Sequence, residues 1–204
     1  MLLLPMLYLP PASYMALLYA AGEVNIEAQE NYIKSTYRNR CEIMGSNGVI
    51  DLSIPLVGGR DHHQAYQDTQ IAYTSDWQHR HRMSILSCYG SAPFFEHYVP
   101  FFEPFYQTQY KHLFEFNKEL FSMLIRLMKL DVKLNYTDTY DVQAHGMTDY
   151  RKSFKPGKTI DNVIMVLYIR VFEGVEPSSG LSSIDLLFNE GPHSKEILRQ
   201  MIIS

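Results

Sequence analysis

The sequence predicts an α+β fold: a strand-rich N-terminal part with a hairpin, a helical middle, and a short strand and helices at the C-terminus. Strand patterns come first along the chain, helical patterns dominate its middle, and strand and helix do not alternate regularly. A doubly wound parallel sheet would require that alternation. With 204 residues, of which 46% are hydrophobic and 20% charged, the chain suits one globular domain spanning residues 1–204.

The N-terminal elements are read from helix stops, alternation and turn residues. "SYMALLYAAG" predicts a short helix with Ser13 as its N-cap and Gly22 as its stop. "EVNIEAQE" alternates apolar and polar residues, the pattern of a half-buried strand. "NRCEIMGSNGVIDLSIPLV" predicts a hairpin, because Asn-Gly at its centre supplies the positive φ angles of a tight turn. "GGRDHHQAYQDTQ" then predicts an exposed polar loop.

The middle and the C-terminal part carry helical patterns. A short strand near "TQIAYT" precedes "SDWQHRHRMSILSCYG", a helix that Ser75 or Asp76 caps. "YKHLFEFNKELFSMLIRLMKL" is an amphipathic helix, with apolar residues three and four apart at Leu113, Phe116, Leu120, Met123 and Leu127. After a polar, turn-like stretch from 131 to 157, "NVIMVLYIRVF" predicts a strand or a buried helix. "LSSIDLLFNEGPHSKEILRQ" predicts two short helices separated by Gly-Pro.

Charge and composition exclude several function classes. A net charge of −4 with a pI near 6.0 argues against broad, sequence-independent nucleic-acid binding. The two cysteines, Cys41 and Cys88, form no disulfide framework, so we expect free thiols in a reducing compartment. The apolar N-terminus lacks Lys and Arg and contains three prolines, which argues against a signal peptide. We therefore expect a cytoplasmic protein without a membrane span.

The most basic stretch is "KSTYRNRCEI", residues 34 to 43. If a strand begins at Arg38, then Arg38 and Arg40 share one of its faces and can grip a phosphate or a carboxylate bidentately. Lys34 and Asn39 lie beside them in the sequence. The alternative, which stays open, is internal salt bridges from these arginines to Glu27, Glu30 or Asp185.

Other polar groups supply weaker candidates. His79 and His81 lie two residues apart in a predicted helix, where they point to opposite sides, so we expect no metal site. "KPGKT" lacks the first glycine of a phosphate-binding loop, and we expect no cofactor. Polar groups also cluster at Asp149 with Arg151, and at Asp185 with Asn189 one helical turn apart; helix capping and surface solvation explain them almost as well.

Several blocks together carry a resemblance: "YLPPASYMALLYA", "ENYIKSTYRNRCEIMGSNGVIDLSIPLV", "SCYGSAPFFEHY" and "LSSIDLLFNEGP". In this order they resemble the WbqC-like protein family, in its Bacteroidetes-type branch. The resemblance implies a single cytoplasmic domain and a role in the synthesis of O-antigen or other surface polysaccharides, with glycine transfer to a sugar as the suggested reaction. Ile169 and Arg170 depart from the family's pattern and leave the choice of substrate in doubt.

The leading hypothesis is a bacterial transferase that moves an aminoacyl or acyl group from an anionic small-molecule donor to a sugar acceptor. Arg38 and Arg40 would hold the donor, Trp77 and Tyr89 would stack on the sugar or base, and Asp149 or His79 would accept the proton. The rival hypothesis is a non-catalytic binding module for an anionic sugar or nucleotide-sugar. Whether the chain is an enzyme, and its oligomeric state, stay open at this point.

Overall fold

The computed structural model describes residues 1–58, 64–172 and 178–203. Its elements in chain order are β1 (Leu2–Pro5), α1 (Ala12–Ala21), β2 (Glu23–Glu27), β3 (Arg40–Gly45), β4 (Gly48–Ser53), α2 (Trp77–Tyr89), α3 (Phe95–Gln107), α4 (Leu113–Leu127), β5 (Lys133–Tyr136), β6 (Thr148–Asp149), α5 (Ser183–Glu190) and α6 (Ser194–Gln200). Strands at the N-terminal end, helices in the middle and helices at the C-terminal end confirm the predicted α+β class.

A four-stranded sheet in the order β5-β2-β1-β6 organises the fold. All three strand pairs run parallel, so α1 serves as the crossover from β1 to β2. Leu2 of β1 lies opposite Val24 of β2 on one side and Thr148 of β6 on the other. The apolar sequence "LLLP" of β1 suits this central position, because a parallel strand is usually covered on both faces.

Three strands of this sheet were not predicted from the sequence. β1 is a four-residue strand in the Pro-rich start, and β5 and β6 lie in the stretch that was predicted to be turn-like. They have four and two residues, too few for their own alternation to be recognised. Pairing with β2 and β1 is what makes them strands.

Helix α1 begins and ends at residues that restrict the backbone. Its N-cap is Pro11 rather than the predicted Ser13, which lies inside the helix and is buried. Gly22 ends it, as predicted, with a φ of 66° and a hydrogen bond of 3.3 Å from its N–H to the carbonyl of Leu18. The helix is buried over Ala12–Leu18, so it connects the two central strands through the core.

The predicted hairpin is confirmed as β3 paired antiparallel with β4, from Arg40 opposite Ser53 to Gly45 opposite Gly48. Gly48 has the positive φ, 121°, whereas Asn47 does not. The strand begins at Arg40 and not at Arg38, so the prediction that these two arginines share a strand face was wrong. Arg38 lies in the preceding turn and faces the core.

The helical middle follows the predicted pattern closely. Asp76 caps α2 by accepting from the N–H of His79, one of the two predicted caps. Helix α4 buries Leu113, Phe116, Leu120 and Met123, four of the five positions of its predicted apolar face. The aromatic residues of α3 mostly enter the same core, at Phe95, Tyr98, Phe102 and Tyr106. These rings therefore serve packing and form no large exposed patch.

The C-terminal part differs from the prediction in one segment. "NVIMVLYIRVF" forms neither a strand nor a helix; Val163 makes one isolated bridge to Ile202, and Leu167 and Ile169 are 83% and 78% exposed. The short strand near "TQIAYT" is likewise reduced to isolated bridges at Gln70 and Ile71. The two helices around Gly-Pro are confirmed as α5 and α6.

Three further observations bear on the sequence predictions. Of the predicted polar loop, residues 59–63 lie outside the described residues. Cys41 and Cys88 are both free and buried. Within the described ranges, no helix has both the length and the apolar character needed to cross a lipid bilayer.

Candidate functional site

The structure separates the predicted site residues into three clusters and two isolated side chains. Lys34, Asn39 and Arg40 line one cavity, which we call the hairpin-base pocket. Arg38, Asp149 and Arg151 join a buried ion network at one edge of the sheet. Tyr89, the last residue of α2, meets Asp185 and Asn189 of α5, while Trp77 and His79 lie apart from these clusters in the first turn of α2.

The base of the hairpin builds the pocket. Asn39 holds the residue that follows β4 with two hydrogen bonds: its carbonyl accepts from the N–H of Ile54 at 2.7 Å, and its Nδ2 donates to the Ile54 carbonyl at 2.8 Å. Arg40 then lies opposite Ser53 in the ladder, which places their side chains on the same face. These contacts fix the backbone at Arg40 and therefore the direction in which its side chain leaves the strand.

The hairpin-base pocket has a volume of about 280 Å³ and a polar lining with a positive charge. Its walls are Tyr32, Lys34, Ser35, Asn39, Arg40, Ser53, Ile54, Pro55 and Leu56. Among these described residues Arg40 is a cation without an ion pair to any of them and none is an acid, in a protein whose net charge is −4. The local potential therefore favours an anion.

Arg40 has no partner among the described residues. Its Nε is buried and makes no hydrogen bond, and it forms no ion pair with any residue that the structure describes. Both Arg40 and Arg38 act on the nearby Tyr32 hydroxyl, but burial outweighs them and raises the pKa of Tyr32 to about 12. Tyr32 is therefore a neutral hydroxyl beside a guanidinium whose hydrogen-bonding capacity is unused.

Arg38, by contrast, has a protein hydrogen-bond partner for each of its guanidinium nitrogens. Its Nε donates to Glu30 at 2.8 Å, its Nη2 reaches both oxygens of that carboxylate at 2.6 and 2.7 Å, and its Nη1 donates to Thr36 at 3.1 Å. Arg38 is 0% exposed and Glu30 is 2% exposed. Burial raises the pKa of Glu30 above its ordinary value, and Arg38 counters part of this effect. The internal salt bridge, the alternative to ligand binding, is what the structure contains here.

The ion network continues to the carboxyl edge of the parallel sheet, where ligands bind in many open sheets. Arg151 donates to Asp149 at 2.7 Å and to Glu27, the last residue of β2, at 3.0 Å, and its carbonyl accepts from Arg38. Burial alone would raise the pKa of Asp149, but the hydrogen bonds from Arg151 outweigh it and hold that pKa below its usual value. A carboxylate of lowered pKa is a weak proton acceptor.

A second buried carboxylate lies on α5. Asp185 accepts hydrogen bonds from the hydroxyls of Tyr89 at 2.9 Å and Tyr168 at 2.6 Å, and pairs with Arg170 at 3.3 Å. Burial raises its pKa above the ordinary value despite these partners. Asn189, one turn further on, accepts from the N–H of Val171 at 3.2 Å. The cluster thus ties the irregular segment before residue 172 to α5, and Arg170, which departs from the family pattern, is one of its anchors.

The remaining predicted residues lie on α2. Trp77 is 0% exposed and packs against Tyr73, His81 and Phe116. Because Tyr89 is also buried, neither ring is placed at a surface where a ligand can stack. His79 is exposed in the first turn of the helix and lines none of the clusters described above.

His81, which was not predicted as a site residue, forms a buried polar chain behind the pocket wall. The Tyr8 hydroxyl lies 2.9 Å from its Nδ1 and 2.8 Å from the Tyr106 hydroxyl, and the backbone of Ser53 hydrogen-bonds the ring. Burial lowers the pKa of His81 to about 4, with a smaller contribution from Arg80. The ring is therefore neutral at pH 7.

We expect His81 to make the protein less stable in acid. Between pH 6.5 and 4 the unfolded chain binds a proton at this position and the folded protein does not. The free energy of unfolding therefore decreases as the pH is lowered through this range. The loss from this residue is about 3 kcal/mol at pH 4 and absent above pH 7. Urea unfolding of the wild type and His81→Gln from pH 7 to 4 measures it; an identical pH dependence in both proteins would contradict this assignment.

A larger cavity of about 660 Å³ lies between α3 and α4. Apolar rings such as Phe101 and Phe105 line it together with charges of both signs, including Glu119 and Arg126. It holds none of the predicted site residues, and its mixed charge favours no particular ligand. We therefore place the candidate site at the hairpin base.

Tyr32, Ser35 and Ser53 were missed as pocket residues. Counting from the predicted Asn47-Gly48 turn would pair Arg40 with Pro55; the observed turn at Ser46 and Asn47 instead places Arg40 opposite Ser53. Nothing in the sequence indicates that Tyr32 and Ser35 close the other side, since residues 31–39 contain no helix or strand.

Comparisons with known proteins identify the family. A protein of Mycobacterium tuberculosis (strain ATCC 25618 / H37Rv), named "Uncharacterized protein Rv1507c", is 25% identical over 221 residues, which cover 94% of this chain and 94% of the relative. No solved structure matches the chain. The family model described as "WbqC-like protein family" matches residues 6–159, more than half of the chain, and includes the hairpin and its pocket. The chain therefore belongs to the WbqC-like protein family.

Proposed function

We propose that the protein is a cytoplasmic transferase of O-antigen or other surface-polysaccharide synthesis. It moves an aminoacyl group such as glycine, or another acyl group, from an anionic donor to an amine or hydroxyl of a sugar. Arg40 holds the phosphate or carboxylate of the donor in the hairpin-base pocket. The observation that carries this proposal is Arg40, a residue of the cavity wall whose side chain makes no hydrogen bond or ion pair to any described residue.

Physical chemistry supports an anion at this position. Hydrogen bonds from a guanidinium to a phosphate or carboxylate are charge-assisted and about twice as strong as neutral ones. The strand and the Asn39 contacts hold the backbone at Arg40, so its side chain always starts from the pocket wall. The same fixed charge stabilises negative charge that develops on a leaving group.

The reaction class rests on family membership and the resemblance to proteins of polysaccharide gene clusters. For proton transfer Asp149 and His79 stay proposed bases, but neither lines the hairpin-base pocket, and the hydrogen bonds from Arg151 make Asp149 a weaker proton acceptor. Six other predicted residues contribute to this proposal only by maintaining the fold, since each is buried and most have protein partners. They are Arg38, Trp77, Tyr89, Arg151, Asp185 and Asn189.

A second candidate function is a non-catalytic binding module for an anionic sugar or nucleotide-sugar. One observation favours it: the described residues that line the hairpin-base pocket include no carboxylate, imidazole or thiol that would act as a base or nucleophile. Turnover distinguishes the two functions. A bound donor that is consumed in the presence of sugar acceptors indicates the transferase, and a donor that binds and is never consumed indicates the module.

The first test is a thermal-shift screen of the wild type and Arg40→Ala against nucleotide-sugars, acyl-CoAs and aminoacyl-phosphate mimics. At a ligand concentration of 100 Kd, binding stabilises the native state by about 2.7 kcal/mol, and Tm rises by roughly 5–10 °C. We expect this shift in the wild type and its loss in Arg40→Ala.

The control is Arg126→Ala, which removes an exposed arginine outside the pocket. It should keep the full shift. A shift that persists in Arg40→Ala would place the anion elsewhere and reject the proposed site, as would a wild type that responds to none of the anions.

A further inference from the structure

The cavity of about 660 Å³ between α3 and α4 is a groove with an apolar floor and a charged rim. Its floor consists of Pro100, Phe101, Pro104 and Phe105 from α3 and Met123 from α4. Phe101 is 43% exposed, a large fraction for an aromatic side chain. The proline rings are already rigid and lose almost no side-chain entropy when they are covered. Covering this floor with another apolar surface is therefore favourable.

The charges on the rim follow an order along α4. Because each residue turns the helix by about 100°, an arc of roughly 60° on its exposed side contains Glu115, Glu119, Ser122 and Arg126. We call this line of four residues the α4 stripe. From its N-terminal end it carries two acids, a small residue and a base. Lys118 lies to one side of the stripe, with its ammonium 4.6 Å from the centre of the Tyr136 ring.

The charges of the α4 stripe are largely unused within one chain. Glu119 and Arg126 are about 10 Å apart along the helix axis, too far for an ion pair. The side chain of Arg126 makes no ion pair or hydrogen bond to any residue that the structure describes. Glu119 accepts a hydrogen bond of 2.6 Å from the Tyr110 hydroxyl with one oxygen, and its other oxygen has no partner within the described ranges. The Ser122 hydroxyl already donates to the carbonyl of Lys118 at 2.8 Å, so it needs no further acceptor.

An antiparallel copy of the α4 stripe complements these charges. If two α4 helices cross with a two-fold axis near Ser122, Glu119 of each copy lies opposite Arg126 of the other, since these residues flank the axis at nearly equal distances. A parallel arrangement would place like charges opposite each other. The small side chain of Ser122 lies at the crossing, where it lets the two helix axes approach to about 8–10 Å.

We propose that the groove between α3 and α4 binds a second copy of this chain, in a two-fold symmetric dimer with antiparallel α4 helices. The apolar floors cover each other, and the two ion pairs between Glu119 and Arg126 select the orientation. Such pairs add little affinity when exposed, but like charges oppose the wrong arrangements. The stripe is only about 16 Å long, so the interface is small and we expect micromolar association. The groove shares no lining residue with the hairpin-base pocket, so the dimer does not depend on the anion site.

Sedimentation velocity of the full chain tests the proposal. The wild type should pass from monomer to dimer between about 1 and 200 µM. Glu119→Arg and Arg126→Glu each convert both attractive pairs into repulsive ones, so each variant should dimerise at least tenfold more weakly. Arg199→Glu is the matched control, because it makes the same charge change at a 72% exposed arginine of α6, outside the groove. It should dimerise like the wild type.

An equimolar mixture of Glu119→Arg and Arg126→Glu is the sharpest test. In a mixed dimer one copy contributes only basic side chains at these two positions and the other only acidic ones, so both pairs are attractive again. The mixture should therefore form a dimer with about the wild-type affinity, although neither variant associates with itself.

Phe101→Ser tests the apolar floor separately from the charges. The two-fold symmetry removes the ring from both copies at once, so this variant should also dimerise at least tenfold more weakly. Because the ring is partly exposed in the single chain, the Tm of the monomer at low concentration should change little.

Three results would overturn the proposal. A wild type that remains monomeric at the highest concentration would leave the groove to a different partner or to a small ligand. A dimer that both charge reversals leave intact would use another surface. If each variant is monomeric and their mixture is monomeric too, Glu119 does not meet Arg126 of the second copy, and the antiparallel arrangement is wrong.

Discussion

Arg38→Ala is expected to lower the free energy of unfolding by about 3–5 kcal/mol, a large part of the stability of a typical domain. The variant leaves the buried Glu30 carboxylate without the guanidinium that contacts both of its oxygens. It also removes the donors to Thr36 and to the Arg151 carbonyl, which link the two halves of the ion network. Urea unfolding at pH 7 measures the loss.

Arg40→Ala is the matched control, two residues further along. It removes the same functional group from a position without protein partners among the described residues, so its cost should stay within about 0.5 kcal/mol. Adding Glu30→Ala to Arg38→Ala should cost less than the sum of the two single changes, because the unpaired charge is removed with its partner. If Arg38→Ala were as mild as Arg40→Ala, the buried salt bridge would contribute little, and a ligand role for Arg38 would regain support.

Gly191→Ala is the second large effect, with an expected loss of about 2–5 kcal/mol. Gly191 ends α5 with φ at 52° and ψ at −121°, a combination that residues with a Cβ avoid. A Cβ built there would lie 2.5 Å from two ring atoms of Phe94, so the ring would have to move as well. The unfolding midpoint in urea, at unchanged m-value, reports the loss.

Gly157→Ala isolates the backbone part of that effect. Its φ of 72° is also left-handed, but nothing lies within 4 Å of the new Cβ. Its cost should therefore be about 1–2 kcal/mol, the strain of the backbone conformation alone. Equal losses in the two variants would show that the Phe94 contact is relieved at no cost.

The fold could be predicted from the sequence where local signals decide the structure. The turn residues between two alternating runs predict the hairpin, Asp76 predicts the start of α2, and the spacing of apolar residues predicts α4. β5 and β6 escaped prediction because a short parallel strand is defined by its neighbours and not by its own residues. "NVIMVLYIRVF" shows the converse, since its composition suits a strand but the structure supplies it with no partner beyond one bridge.

The same distinction explains the candidate site. The basic stretch drew attention to Arg40, which lines a cavity, but two-residue spacing alone did not show that Arg38 precedes the strand and turns inward to Glu30. Asp185 and Asn189 were predicted one helical turn apart and are so. Their partners come from an irregular segment: Tyr168 and Arg170 contact Asp185, and the N–H of Val171 donates to Asn189. Which residue pairs with a buried charge depends on the tertiary fold, and this pairing decides whether the charge is available to a ligand.

The position of β1 at the centre of the sheet has a consequence during synthesis. Its partner on one side, β2, follows within about twenty residues, but its partner on the other side, β6, pairs Thr148 with Leu2. At a translation rate of about 5–20 residues per second, one edge of this apolar strand stays unpaired for roughly 6–25 s, until β6 has been synthesised. Until then the nascent chain exposes an unpaired hydrophobic edge, so a ribosome-bound chain that stops before residue 148 is a natural client for chaperones.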